Sequence, residues 1–182
     1  MTECPKNCAE CASRCEAAGG TADPWLEKLD AMVHELHGEG NFCCSQTVLA
    51  IGMKRLGIDN PDLLRAMAGY CGGSCAGVCG ALAGGEALIG LYVGRSSPEP
   101  ARDPRQKELA AALTETFRAY WKSTQCDDLV HGDPEQRKYT CPSLMAGTVE
   151  MVWGILHENG ISLDTREVNN KKGDDNHDPQ GF

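Results

Sequence analysis

Four cysteines crowd the start of the chain as Cys4-x3-Cys8-x2-Cys11-x3-Cys15. On a helix they stand at i, i+4, i+7 and i+11, a single stripe that could present thiolates to one metal centre with some unwinding. Iron–sulfur clusters and zinc both take four thiolates, so this head is expected to bind metal, with a cluster preferred over zinc. The competing expectation is a reactive or partly disulfide-linked segment with no metal. A second set follows in Cys71-Gly72-Gly73-Ser74-Cys75-Ala76-Gly77-Val78-Cys79-Gly80, three cysteines spaced by four. Glycines there would let backbone N–H groups approach a thiolate or sulfide closely, and a helix start offers unpaired donors that lower a thiol pKa or raise a cluster potential. The same small residues would serve equally well for close helix packing, as Gly80-x3-Gly84 and Gly90-x3-Gly94 suggest.

Other chemistries find less support. Cys4-x3-Cys8-x2-Cys11 has the spacing of the radical S-adenosylmethionine cluster, but no alternating strand and helix pattern follows to hold that cofactor. Cys8-Ala9-Glu10-Cys11-Ala12 lacks the histidine of a c-type haem site, so no haem is expected. Neither a Walker loop, nor a dinucleotide fingerprint after a strand, nor a nucleophile elbow is present, so no nucleotide is expected either. His34, His37, His131 and His157 are scattered and His177 lies near the end; each is expected at the surface or in the core rather than as a ligand. Glu86, inside an apolar run, is expected to be a hydrogen-bonded packing residue or an interface acid more than a proton carrier or cluster-facing acid.

These residues must be held by helices. Asp23-Pro24 supplies an N-cap and an N1 proline, and Trp25, Leu26, Leu29, Met32, Val33 and Leu36 recur at helical spacing up to Gly38 and Gly40. A second run from Cys44 to Leu56 ends at Gly57, and Asn60-Pro61-Asp62 caps a short third helix broken at Tyr70-Cys71-Gly72-Gly73. A small-residue helix over Val78 to Val93 precedes a Pro- and Ser-rich loop, Gly94 to Arg105. Asp103-Pro104 opens a long helix to about Lys122, Cys126 sits in a polar turn, and Asp127 to Tyr139 is charged and irregular. Cys141-Pro142 starts a last helix that Gly160 stops. Nothing alternates at period two for long. The expectation is an all-α bundle of five to six helices over 21–168, with a Cys-rich segment at 1–20 and a flexible tail at 169–182.

Of 182 residues, 41% are hydrophobic and 24% charged, as in an ordinary folded domain. Seventeen Lys and Arg against 26 Asp and Glu give a net charge of −9, which disfavours nucleic acid and anionic membranes and favours a basic redox partner. The start of the chain has no basic region followed by an apolar one, and the most hydrophobic stretch, Ala76 to Val93, is diluted by Glu86 and five glycines. A cytoplasmic location without membrane insertion is expected, where eleven cysteines serve as metal ligands or redox thiols more readily than as structural disulfides. Small-residue helix faces raise the expectation of a homodimer.

Cys79-Gly80-Ala81-Leu82-Ala83-Gly84 matches the CGAxxG signature, and with it residues 30 to 160 resemble the C_GCAxxG_C_C family of redox-active proteins. The resemblance maps that family's four characteristic cysteines onto Cys44, Cys79, Cys126 and Cys141. A related domain occurs in split-Soret cytochrome c as a helical module that holds an iron–sulfur cluster. The resemblance implies a redox protein, and the leading expectation is an electron-transfer protein with one cluster, [4Fe-4S] or [2Fe-2S], on those four residues and a second on Cys4, Cys8, Cys11 and Cys15, a head that the family pattern lacks. Cys43, Cys71 and Cys75 exceed the family pattern and stay open as alternative ligands, buried small residues or reactive thiols. Two rivals remain: a thiol/disulfide reductase without a cluster, cycling at Cys71, Cys75 or Cys79, and a zinc or other metal-binding protein. No catalytic residue is assigned, and an oxidoreductase activity is left open.

Overall fold

The computed structural model describes residues 23–98 and 103–165. The Cys4, Cys8, Cys11 and Cys15 head and the tail expected from residue 169 lie outside the described residues. Among these the chain is all-α, with a single isolated antiparallel bridge, Val78 to Gln125. Two short helices, α1 (Pro24–Glu27) and α2 (Leu29–Val33), run into a π-helical turn, His34–Glu39. Then come α3 (Cys44–Arg55), α4 (Pro61–Met67) with a 3-10 continuation over Ala68–Gly73, and α5 (Gly80–Val93). The second half holds α6 (Arg105–Trp121), the single-turn α7 (Cys126–Leu129) and α8 (Arg137–Glu158).

The caps explain the starts. Asp23 Oδ1 accepts from the Trp25 N–H at 3.0 Å and Asn60 Oδ1 from the Leu63 N–H at 3.0 Å, each just before an N1 proline. The expected start of the last helix at Cys141-Pro142 is corrected: α8 begins at Arg137 and Pro142 lies inside it. The start signal is Asp133-Pro134, where Asp133 Oδ1 accepts from the Glu135 N–H at 2.9 Å and opens a 3-10 turn that feeds the helix. Pro142 removes one backbone donor near the beginning of a 22-residue helix, and the remaining ladder tolerates that loss.

Helix α5 is the centre of the bundle, packed against α3, α6 and α8. It can be central because it is made of small residues. A Cβ on Gly84 would stand 2.7 Å from the Ser45 carbonyl, and one on Gly85 would stand 2.6 Å from Thr148 and 2.9 Å from Leu113. At Gly84 and Gly85 the small-residue face thus serves contacts within the chain. Leu113, Phe117, Leu144, Val149 and Trp153 complete a core closed to solvent. At the far end from the cysteines, the Arg55 guanidinium lies over the Trp153 ring at 4.6 Å and the Trp25 ring at 5.7 Å. It also pairs with Asp23 at 2.6 Å and Asp164 at 3.0 Å, joining the first and last described elements.

Candidate redox site

The break between α4 and α5 and the starts of α3, α5, α7 and α8 come together at one end of the bundle. Cys43 is the N-cap of α3 and Cys44 its first residue; the Gln46 side-chain Oε1 turns back to accept from the Cys43 N–H at 3.2 Å. Cys79 is the N-cap of α5, Cys126 opens α7, and Cys141 lies in the early turns of α8. The β bridge sets two of these opposite each other: the Cys79 N–H donates to the Thr124 carbonyl at 2.8 Å and the Cys126 N–H to the Gly77 carbonyl at 2.7 Å. Cys71 leaves the 3-10 turn in an extended conformation, and Gly72 follows at φ 58°, a left-handed backbone that glycine adopts without strain.

These turns enclose a cavity of about 430 Å³ lined by six cysteines: Cys43, Cys44, Cys71, Cys79, Cys126 and Cys141. All four cysteines that the sequence singles out by resemblance are therefore on one wall system, and all four are free thiols. Cys43 and Cys71, left open as alternative ligands, are joined to each other in a disulfide with Cα atoms 5.8 Å apart. Cys75, the third open candidate, is exposed and does not line the cavity. Gly80 gives the signature glycine a specific use: the space its Cβ would fill is taken by the Cys44 sulfur and, at 2.6 Å, by the Tyr70 carbonyl. The glycines thus serve both purposes weighed for them, sulfur approach at Gly80 and helix packing at Gly84 and Gly85.

Burial dominates the acidities. It pushes the Cys79 thiol up to about 11, against the opposing pull of the Leu82 and Ala81 N–H groups, and Cys44 and Cys126 nearby raise it further. Burial pushes Cys141 up to about 12, with Cys44, Cys79 and Cys126 adding to the rise and Arg137 opposing it. Cys126 is raised by burial as well, again opposed by Arg137. Left as free thiols these groups are protonated near neutrality and poorly nucleophilic; a metal or a strong local cation is needed to hold them as thiolates.

Two further residues line the cavity: Arg137, which no motif marks, and His37, which is expected at the surface or in the core and stands at the site instead. Arg137 brings a positive charge to the wall, and its Nε is buried without a hydrogen-bond partner. Its signal was present: Arg137 and Cys141 are four apart and share a helix face once α8 is known to start at 137. His37 lines the cavity from the π-helical turn, its Nδ1 2.6 Å from the Phe42 carbonyl. A carbonyl can only accept, so Nδ1 donates in this contact. Single π turns inside helices are frequent at functional sites, but nothing in the local sequence announces this one. The other described histidines, His34, His131 and His157, lie away from the cavity, and Glu86 is exposed and accepts from the Thr114 hydroxyl at 2.8 Å, as a packing acid would.

Among the described residues, no three His, Cys, Asp or Glu side chains are gathered closely enough to chelate one metal ion. The donor set is nonetheless thiol-rich, free of carboxylates and sheltered by Ala81, Leu129 and Leu144. The N-termini of the long helices α3, α5 and α8 all end here, so their positive dipole ends favour anionic charge in the cavity.

In comparison with known proteins, the model of a family described as "Putative redox-active protein (C_GCAxxG_C_C)" matches residues 42–155. No curated protein and no solved structure matches the chain.

Proposed function

Because the chain belongs to the C_GCAxxG_C_C family of redox-active proteins, we propose that it is an electron-transfer protein whose cavity cysteines Cys44, Cys79, Cys126 and Cys141 hold an iron–sulfur cluster. The observation that carries this reading is the meeting of those four free thiols, from four helix beginnings, in one sheltered cavity. A mononuclear zinc ion needs four donors about 2.3 Å from a single point. In a [4Fe-4S] cluster each thiolate binds a different iron, so its ligands stand farther apart, which suits a cavity where no three donors among the described residues gather on one point. Bound here, the cluster would take up and release single electrons.

The chain's own residues have definable parts in this. Cys79 is held at the rim of α5 by its own N–H bond to Thr124, with the Ala81 and Leu82 N–H groups lowering the cost of negative charge on its sulfur. Arg137 supplies the full positive charge on the wall, and its influence reaches Cys126 and Cys141. Leu129, Leu144 and Ala81 form the apolar part of the wall beside the sulfurs. The thiol-reductase rival at Cys79 is disfavoured by burial, which keeps that thiol protonated. A second cluster on Cys4, Cys8, Cys11 and Cys15, a basic partner protein and a cytoplasmic setting belong to the same proposal.

The test is iron and acid-labile sulfide per chain on full-length protein purified without oxygen, with absorption recorded before and after dithionite. Near-equal iron and sulfide and a band that bleaches are expected. Zinc, or no metal even after anaerobic reconstitution, would overturn the reading. The Cys79→Ser variant locates the cluster: if all iron stays there and leaves only when Cys8 and Cys11 are replaced, the cavity is not the site.

A further inference from the structure

We infer that Cys43 and Cys71 form a two-electron thiol–disulfide centre on the rim of the cavity, with the disulfide bond of another molecule as its substrate. The pair joins two segments 28 residues apart and lines the same cavity as the four free cysteines, yet both residues are only half-buried, so the bond is reachable from outside. Cys71 sits in a turn whose neighbours Gly72 and Ser74 are exposed.

The surroundings suit reversible opening. Ser45, fully buried, places its hydroxyl oxygen 3.3 Å from the Cys43 sulfur and 3.6 Å from the Cys71 sulfur, while its proton goes to the Met67 carbonyl at 2.7 Å. With that proton committed, the oxygen can only accept from the sulfurs. A disulfide has no proton to offer; a dithiol does. Ser45 is thus matched to the reduced state of the pair. Opening the bond also leaves its two segments tied by other means: Ser45 to Met67, and Gln46 Nε2 donating to the Leu64 carbonyl at 3.0 Å. The disulfide is not needed to hold the turn in place.

The step balances as follows. In the dithiol state one sulfur loses its proton and bonds to a sulfur of the incoming disulfide, whose other sulfur leaves and takes up a proton. The second thiol of the pair then attacks the mixed disulfide, reforms the Cys43–Cys71 bond and releases the second substrate thiol. Two electrons and two protons pass to the substrate, and a dithiol reductant restores the pair. None of this requires iron, so the inference stands apart from the cluster reading.

The experiment uses the full-length chain, reduced with dithiothreitol and freed of it without oxygen, then mixed with oxidised glutathione or with insulin. Alkylation and peptide mass spectrometry follow Cys43 and Cys71, and iron is measured in parallel. The expected result is two thiols lost at Cys43 and Cys71 for each probe disulfide opened, and a rate at least about tenfold lower in the Cys43→Ser/Cys71→Ser variant at unchanged iron and helical content. Reaction with insulin alone would identify a polypeptide substrate, and reaction with glutathione a small one. Ser45→Ala, with iron retained, should shift the glutathione equilibrium about fivefold toward the disulfide, the worth of one hydrogen bond. Resistance of the pair to dithiothreitol in the folded protein, oxidation of Cys75 in its place, or loss of iron on Cys43→Ser alone would each overturn the inference. A chain that never binds iron but still cycles at this pair would overturn the cluster reading only.

Discussion

At the scale of residues, the site depends on a missing atom and on suppressed charge. Gly80 has no Cβ where the Cys44 sulfur and Tyr70 carbonyl sit. Gly80→Ala should therefore cost about 2 kcal/mol through overpacking, although alanine is the better helix former, and should lower iron per chain by displacing Cys44. Urea unfolding and iron analysis on the variant check both effects; a more stable protein with full iron would show that the contact yields freely. The buried thiols predict a pH dependence in the iron-free chain. Their folded acidities lie above the ordinary thiol value of about 8.5, so the folded state holds protons that the unfolded state has released at higher pH. The stability they contribute is complete below the ordinary value and is lost as pH rises through about 11 for Cys79 and about 12 for Cys141. The slope should approach about 1.4 kcal/mol per pH unit for each thiol within that window. Urea midpoints at pH 7.5, 9 and 10.5 measure it, and the fall should be smaller in Cys79→Ser, whose hydroxyl does not titrate.

At the scale of elements, chemistry and stability occupy opposite ends of the bundle. The cysteines gather where α3, α5 and α8 begin, whereas Arg55 at the end of α3 locks α1 and α8 through Trp25, Trp153, Asp23 and Asp164. The Arg55 side chain is 5% exposed, so its truncation leaves the partly buried Asp23 without its cation and the two indoles without their filler. Arg55→Ala should lose about 3 kcal/mol of stability, and Arg55→Met less because it refills the gap. Iron content should stay near that of the parent in both. If iron and stability fall together, the two ends are coupled and the separation is wrong. The last helix starts at Arg137 and not at Cys141-Pro142 because the Asp133-Pro134 turn has already begun the chain's entry into α8, although Pro142 resembles a helix start.

At the scale of the whole molecule, no described helix is long and apolar enough to cross a membrane, and the charge of −9 sets the character of the surface. Electron transfer to a basic partner should then slow as ionic strength rises from 20 to 200 mM, values chosen to shorten the screening length from more than about 10 Å to less than about 10 Å. Stopped-flow reduction of a small basic haem protein by the dithionite-reduced chain checks this. A rate indifferent to salt would show that the acidic surface does not guide the encounter.

Local signals carried much of the fold. The helical periodicity, the caps at Asp23-Pro24 and Asn60-Pro61 and the glycines that stop α3 and α8 are all legible residue by residue, because capping and amphipathicity act over one or two turns. The signature at Cys79 to Gly84 was legible as well, and it led to Cys44, Cys126 and Cys141 by resemblance. Their meeting in one cavity was not. It depends on how closely α3 approaches α5 across Gly80 and Gly84, and on a β bridge between segments 47 residues apart, Val78 and Gln125. The same holds for the Cys43–Cys71 bond, for His37 on its π turn and for Arg137 opposite the sulfurs. By itself the sequence determined the helices and, through the signature at Cys79 to Gly84, the redox-active family, since both are written in nearby residues. Which sulfurs pair, which stay free and which charge faces them were decided by tertiary packing, because only the approach of distant helices brings those groups within reach.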